Sequence, residues 1–334
     1  MSRARAALKV AKAAAYGGGG VTLLTGAFVG LIMAEAKIAR LTIGTPLGLV
    51  PPDADGRYGA EFGGQPLRLV LLGDSTAAGL GVDEPVQTPG ALLAAGLAAL
   101  VERPVDLVIA AKVGSQTCDL AHQLDQVLTG DQAAPQVAVV MVGANDVTHR
   151  VQPATSVRLL SEAVGRLREV GCEVVVGTCP DLGTLEPIAQ PLRWLARRWS
   201  RRLAAAQTIA VVEAGGRTVS LGDLLGPEFA ARPKEMFAID RFHPSAAGYE
   251  AAVRALLPTV SAALGLTEAE DESQLAVRSG ASVLPVEFAA VAAAGTAGTE
   301  VNGSTVAGRA EVRHRDQLPL AEPVEAAETV NAAS

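Results

Sequence analysis

Five residues of this chain have the types and spacing needed to turn a hydroxyl group into an attacking group: Ser75, Gly114, Asn145, Asp240 and His243. Acyl transfer requires a nucleophile, a base, a group that orients the base, and donors for the oxyanion. Ser75, in Gly73-Asp74-Ser75 at the end of an apolar run, is the candidate nucleophile. A serine that opens a helix after a Gly-Asp turn projects above the sheet, with its own N–H among the unpaired donors of the helix start. His243 is the candidate base. Asp240, three residues earlier in a tight turn, can accept from the imidazole, set its tautomer and stabilise the imidazolium. Of the other histidines, His314 lies in the tail and His122 on a helix. His149, just behind Asn145, could line a pocket but has no acid to orient it. Gly114 lets a substrate oxygen come close to a backbone N–H. Asn145, in Gly143-Ala144-Asn145-Asp146, carries two uncharged side-chain donors. With the Ser75 N–H these make a three-donor oxyanion site.

Each residue alone has a plainer reading. Asp74 or Ser75 caps a helix, Gly114 makes a turn, Asn145 satisfies a strand-end loop, Asp240 sits in an ordinary turn and His243 starts a helix. What those readings leave unexplained is that the motifs fall at successive strand ends. Apolar runs at Leu67 to Leu72, Val105 to Ala110, Val137 to Val142, Val174 to Thr178 and Ile209 to Val212 read as five strands. Helical spacing fills the intervals: Pro89 to Glu102, Thr117 to Leu128, Ser156 to Val170, Leu192 to Ala206 and Pro244 to Leu264. Solidly apolar strands separated by helices predict a parallel sheet covered on both faces. In such sheets ligands bind beyond the carboxyl ends of the strands.

Gly73-Asp74-Ser75, Gly114, Gly143-Ala144-Asn145-Asp146 and Asp240-x-x-His243 together resemble, in order and separation, the four blocks of the SGNH/GDSL hydrolases, over roughly Leu67 to Leu264. Thr76 stands where the motif name has Leu. The resemblance implies a three-layer α/β/α sandwich with a flavodoxin-like, five-stranded parallel sheet. It implies Ser75, Asp240 and His243 as a triad and Ser75, Gly114 and Asn145 as the oxyanion hole. It further implies hydrolysis of carboxylic esters or thioesters of short to medium acyl chain, small-molecule or lipid, with no metal and no cofactor. Transacylation by the same site and an envelope-anchored scaffold that keeps the fold without its activity stand as alternatives.

Composition bounds the rest. With 49% apolar residues but 3% aromatic, the core must be built from Ala, Val and Leu. A net charge of −7 argues against a nucleic-acid partner, which demands a basic surface. Eleven acidic against four basic residues after Leu266 place that excess in the tail. Cys118, Cys172 and Cys179 are too few for a disulfide framework and read as buried or semi-buried small apolar residues.

Arg3, Arg5, Lys9 and Lys12 precede an uncharged run from Ala13 to Ala34, long enough to span a bilayer. The basic flank predicts a cytoplasmic N-terminus with the remainder outside. Ala34-Glu35-Ala36 also offers a signal-peptide cleavage site. The expected organisation is a basic segment (1–12), a transmembrane anchor or signal peptide (13–36), a linker (37–66), the hydrolase domain (67–266) and a disordered acidic, Ala-rich tail (267–334). The enzyme is therefore expected on a cell membrane facing outward, or secreted, as exported actinobacterial members of the resembled family are. The oligomeric state is not legible.

Overall fold

The computed structural model describes residues 28–129 and 133–266, and the backbone of 282–285, 299–303 and 309–314. Helix α1 covers 28–43, and β1 is Gly56–Tyr58. Strand β2 (Leu67–Gly73) leads into α2 (Ser75–Ala78) and α3 (Pro89–Val101). Strand β3 (Val105–Ile109) leads, through a 3₁₀ turn at Thr117–Asp119, into α4 (Leu120–Leu128). Strand β4 (Val137–Met141) precedes α5 (Ala144–Thr148) and α6 (Pro153–Glu169), and β5 (Glu173–Gly177) precedes α7 (Leu192–Glu213). Strand β6 (Arg217–Val219) is followed by α8 (Leu221–Ala231), α9 (Pro233–Met236) and α10 (Ala246–Ala263).

The strands form one sheet in the order β1-β3-β2-β4-β5-β6. Alternation along β2 sends Leu69 and Leu71 to one face, against α3 and α10, and Val70 and Leu72 to the other, against α4 and α6. All four are fully buried, as a strand covered on both faces requires. From β2 the chain winds first to β3 on one side and then to β4 on the other. The carboxyl end of β2 is therefore the topological switch point, where such sheets open a crevice.

Five of the strands are parallel, but the sheet has six members and is mixed, because β1 runs antiparallel to β3. This corrects the five-stranded sheet; the added strand lies inside the stretch 37–66 expected as a linker. Strand β1 is three residues long and held by side chains that periodicity does not reveal. Arg57 Nε pairs with Asp106 at 2.6 Å, the Asp55 carboxylate accepts the Ile109 amide at 2.7 Å, and the Tyr58 hydroxyl donates to the Ala54 carbonyl. Ile209 to Val212 is also not a strand. It is the last turn of α7, continuing the buried stripe of Leu203, Gln207 and Val211, and the strand β6 begins only after Gly215 and Gly216 break the helix. A four-residue apolar run carries no period of its own to separate the two cases.

At the N-terminal side, α1 takes up the end of the expected anchor and the start of the expected linker. Ile32, Glu35 and Ala39 are its buried face. Residues 13–27 lie outside the described residues, and among the described residues no helix is long and apolar enough to cross a membrane. After Leu266, where no regular structure is expected, strands β7 (Ser282–Pro285), β8 (Thr299–Gly303) and β9 (Arg309–His314) pair antiparallel in the order β7-β9-β8. Strands of four to six residues are too short to show a sustained period in an Ala- and Gly-rich sequence. The rest of the tail lies outside the described residues.

Candidate active site

Strand β2 ends in a turn that only glycine can make. Gly73 has φ +132°, and a Cβ there would lie 1.9 Å from the Met141 carbonyl oxygen of β4. Asp74 then caps α2, accepting the Thr76 N–H at 2.9 Å. Ser75 stands at the first position of that helix with its side chain almost covered.

The Asp240–His243 turn arrives from 165 residues further on and is built locally. Asp240 Oδ1 accepts the N–H groups of Phe242 and His243, each at 3.0 Å, while Oδ2 meets His243 Nδ1 at 2.5 Å. Arg241 takes a left-handed φ of +57° to close the turn. An antiparallel bridge between Phe237 and Pro244 and the Ala238 N–H to His243 carbonyl bond staple the two arms together. His243 Nε2 lies 2.9 Å from Ser75 Oγ. The three side chains thus form one hydroxyl–imidazole–carboxylate chain. Burial raises the Asp240 carboxyl, but the hydrogen bonds from His243 and from the Phe242 amide outweigh it and leave the pKa below the ordinary range.

Gly114 and Asn145 follow β3 and β4, the neighbours of β2 on either side. Gly114 is exposed and has φ +83° with open space around it, so its backbone conformation and not crowding requires glycine. Asn145 is partly buried near the start of α5, and its Nδ2 donates to the Ser115 carbonyl at 3.0 Å. One of its two amide protons therefore braces the loop beside Gly114. His149 is exposed, and its Nδ1 lies 2.8 Å from the Asn145 carbonyl oxygen at the end of α5. His122 is exposed beside Gln126. Cys118 is exposed, contrary to expectation, because it lies on the outer side of the 3₁₀ turn; Cys172 and Cys179 are buried.

Two supporting residues escape the sequence reading. Gln123 of α4 is buried and grips both sides of the Gly73 peptide: its Oε1 accepts the Gly73 N–H and its Nε2 donates to the Gly73 carbonyl, each at 2.8 Å. The same Nε2 lies 3.2 Å from Ser115 Oγ, linking the Ser75 turn to the Gly114 loop. Asp146, equally buried, accepts the Thr117 N–H at 3.1 Å and ties the Asn145 turn to that loop from the other side. A signal for Gln123 was present: it shares the buried stripe of Leu120, Leu124 and Val127, and a polar group on such a stripe must find partners.

Beyond the imidazole loop lies a mostly apolar cavity of about 80 Å³ walled by Leu182, Leu185, Leu225, Phe229, Phe237 and Phe242, with Asp74 and Thr76 also in its lining. Asp74 is fully buried there. Its pKa is raised to about 6 by that burial, against the opposing Thr76 amide bond and the nearby His243.

An α/β sandwich with a hydroxyl–imidazole–carboxylate chain at the switch point of its sheet belongs to the class of serine-hydrolase folds. Residues 71–251 match the GDSL-like lipase/acylhydrolase family, and over 245 residues the chain is 41% identical to a GDSL-like esterase of Mycobacterium tuberculosis, covering 70% of this chain and 77% of that one. Among solved structures it is similar to an α/β hydrolase enzyme from the metagenome of Lake Arreo, Spain (21% identity, TM-score 0.48, 60% of this chain and 95% of that one). It is also similar to a lipase/acylhydrolase from Enterococcus faecalis (23% identity, TM-score 0.46, 61% and 100%). The chain belongs to the GDSL-like lipase/acylhydrolase family and is an SGNH-type carboxylic ester hydrolase.

Proposed function

We propose that this hydrolase cleaves short-chain carboxylic esters or thioesters through Ser75, His243 and Asp240, with the backbone N–H groups of Ser75 and Gly114 and the side chain of Asn145 holding the oxyanion. The observation that carries this reading is the continuous chain of contacts, 2.9 Å from Ser75 Oγ to His243 Nε2 and 2.5 Å from His243 Nδ1 to Asp240. Ser75 Oγ attacks the acyl carbon, and its proton passes to Nε2. The tetrahedral adduct collapses, the bond to the leaving oxygen or sulfur breaks, and His243 returns the proton to that atom. Water enters, gives a proton to the same nitrogen and attacks the acyl-serine; the acid leaves and the proton returns to Ser75. Asp240 keeps its charge throughout, which its depressed pKa favours.

The cavity supports an acyl chain at the short end. Its walls are apolar, it adjoins residues flanking both Ser75 and His243, and its roughly 80 Å³ is about half the ~150 Å³ of an engineered apolar cavity that admits benzene. The uncharged run 13–34 behind a basic flank supports a membrane setting with the enzyme on the outer side. Ser75→Ala should lower turnover of p-nitrophenyl acetate or butyrate by at least about 10⁴-fold, with unchanged circular dichroism and melting temperature. It should also abolish labelling by a fluorophosphonate probe. Turnover retained in that variant removes Ser75 from the mechanism.

A further inference from the structure

We propose that the head of α7 is a bilayer-contact surface, held at the membrane interface by α1; this rests on the membrane reading of 13–34. The Glu35 carboxylate is buried and accepts the amide of Leu192, the first residue of α7, at 2.9 Å. Ile32 and Ala39, three residues before and four after it, are buried on the same face. The residue that follows the uncharged run is therefore stitched directly to the catalytic domain. Phe28 and Glu35 are seven positions apart on the helix, about 10 Å. On the membrane reading of 13–34, a domain on so short a connection cannot stand away from the bilayer.

The surface facing outward there has the chemistry of an interface. Leu31, Met33, Ile38 and Leu41, off the buried line of α1, and Phe28 at its start are each about half exposed or more, interspersed with exposed Lys37 and Arg40. Five large apolar side chains left exposed on one short surface helix mark a contact surface. Two residues past Leu192, Trp194 is 54% exposed, with the Arg198 guanidinium 5.6 Å from its ring centre. An indole paired with a cation is suited to the headgroup level, where Trp is enriched and basic groups meet lipid phosphate. The occupant is a bilayer and not a second copy of the chain, because the exposed Phe28, Leu31 and Met33 are themselves the end of the uncharged run.

The chain has two tryptophans, so full-length Trp199→Phe leaves Trp194 as the reporter. Reconstituted in vesicles of phosphatidylcholine and phosphatidylglycerol, it should float with them. Replacing part of the phosphatidylcholine by lipid brominated near the headgroup should quench about half or more of its emission, since an indole at headgroup level lies within reach of the bromines. Trp194→Phe with Trp199 retained is the complement and should lose most of that quenching. Glu35→Ala should float equally and be quenched less. Flotation without quenching of Trp194 overturns the proposal while leaving the membrane reading intact, and so does quenching that persists in Trp194→Phe. Failure to float overturns both. A membrane-fraction protein whose mass begins after Ala36 overturns the proposal, because the strap would then be gone.

Discussion

Ser75 is held by residues far away in the chain, whereas Asp240 and His243 hold each other. On the serine side, the Gly73 peptide is gripped by Gln123, fifty residues on, and pressed against Met141 of the adjacent strand. On the imidazole side, one carboxylate supplies the turn with two backbone bonds and the imidazole with its partner inside four consecutive residues. The two regions meet at 2.9 Å. The contrast teaches that the same contact can be damaged in two ways. Change on the imidazole side should remove chemistry and leave the fold, while change on the serine side should cost fold and chemistry together.

The largest expected effect tests the first half of that contrast. Asp240→Asn keeps a carbonyl oxygen for the Phe242 and His243 amides but lacks the charge that holds the imidazole tautomer. On the proposed mechanism, kcat should fall about 10⁴-fold, with the urea midpoint almost unmoved. A large loss of stability would mean that the turn depends on the charge as well as the geometry.

Gln123→Leu tests the other half. The variant leaves the buried Gly73 N–H without its partner, while the Gly73 carbonyl keeps the Lys112 N–H; this should cost about 1–3 kcal/mol of stability by urea denaturation. Loosening the Ser75 turn should lower kcat by about 10- to 100-fold, with KM changing less. Lost stability with full turnover would show that Ser75 is fixed by the strand end alone.

The remaining effect, on stability alone and seen only as pH changes, concerns Asp74, which is on the serine side but buried beside the imidazole loop. Its folded pKa of about 6 lies above the ordinary 3.8, so the folded state binds the proton more tightly than the unfolded chain does. Its contribution to stability is therefore fully present at low pH and is lost as pH rises toward and through 6. Asp74→Asn keeps the cap and removes the titration. The stability advantage of the variant over the parent should shrink by about 2–3 kcal/mol between pH 7 and pH 4. A pH-independent difference would place the carboxylate in contact with water.

The imidazole side was the easier to read because its order is local: an acid three residues before a histidine in a turn is a pattern of adjacent letters. The apolar runs of β2 to β5 were legible for a similar reason, being solid enough to signal strands buried on both faces. Gln123 was not singled out, since its partner is a backbone peptide that no residue type announces. Strand β1 stayed hidden in a Pro- and Gly-rich stretch, as its hold on β3 comes from Arg57 and Asp55 reaching across the sheet.

Taken alone, the sequence determined the layered α/β architecture, the family and the residue types offered at each strand end, because apolar periodicity and short-range turn chemistry are written in neighbouring residues. Only the tertiary structure decided that the strand order sets β2 between β3 and β4, that Ser75 and His243 come within hydrogen-bonding distance across 168 positions, and that Glu35 binds the start of α7. Those are contacts between distant segments. They depend on how helices pack on a twisted sheet, and no local pattern specifies that.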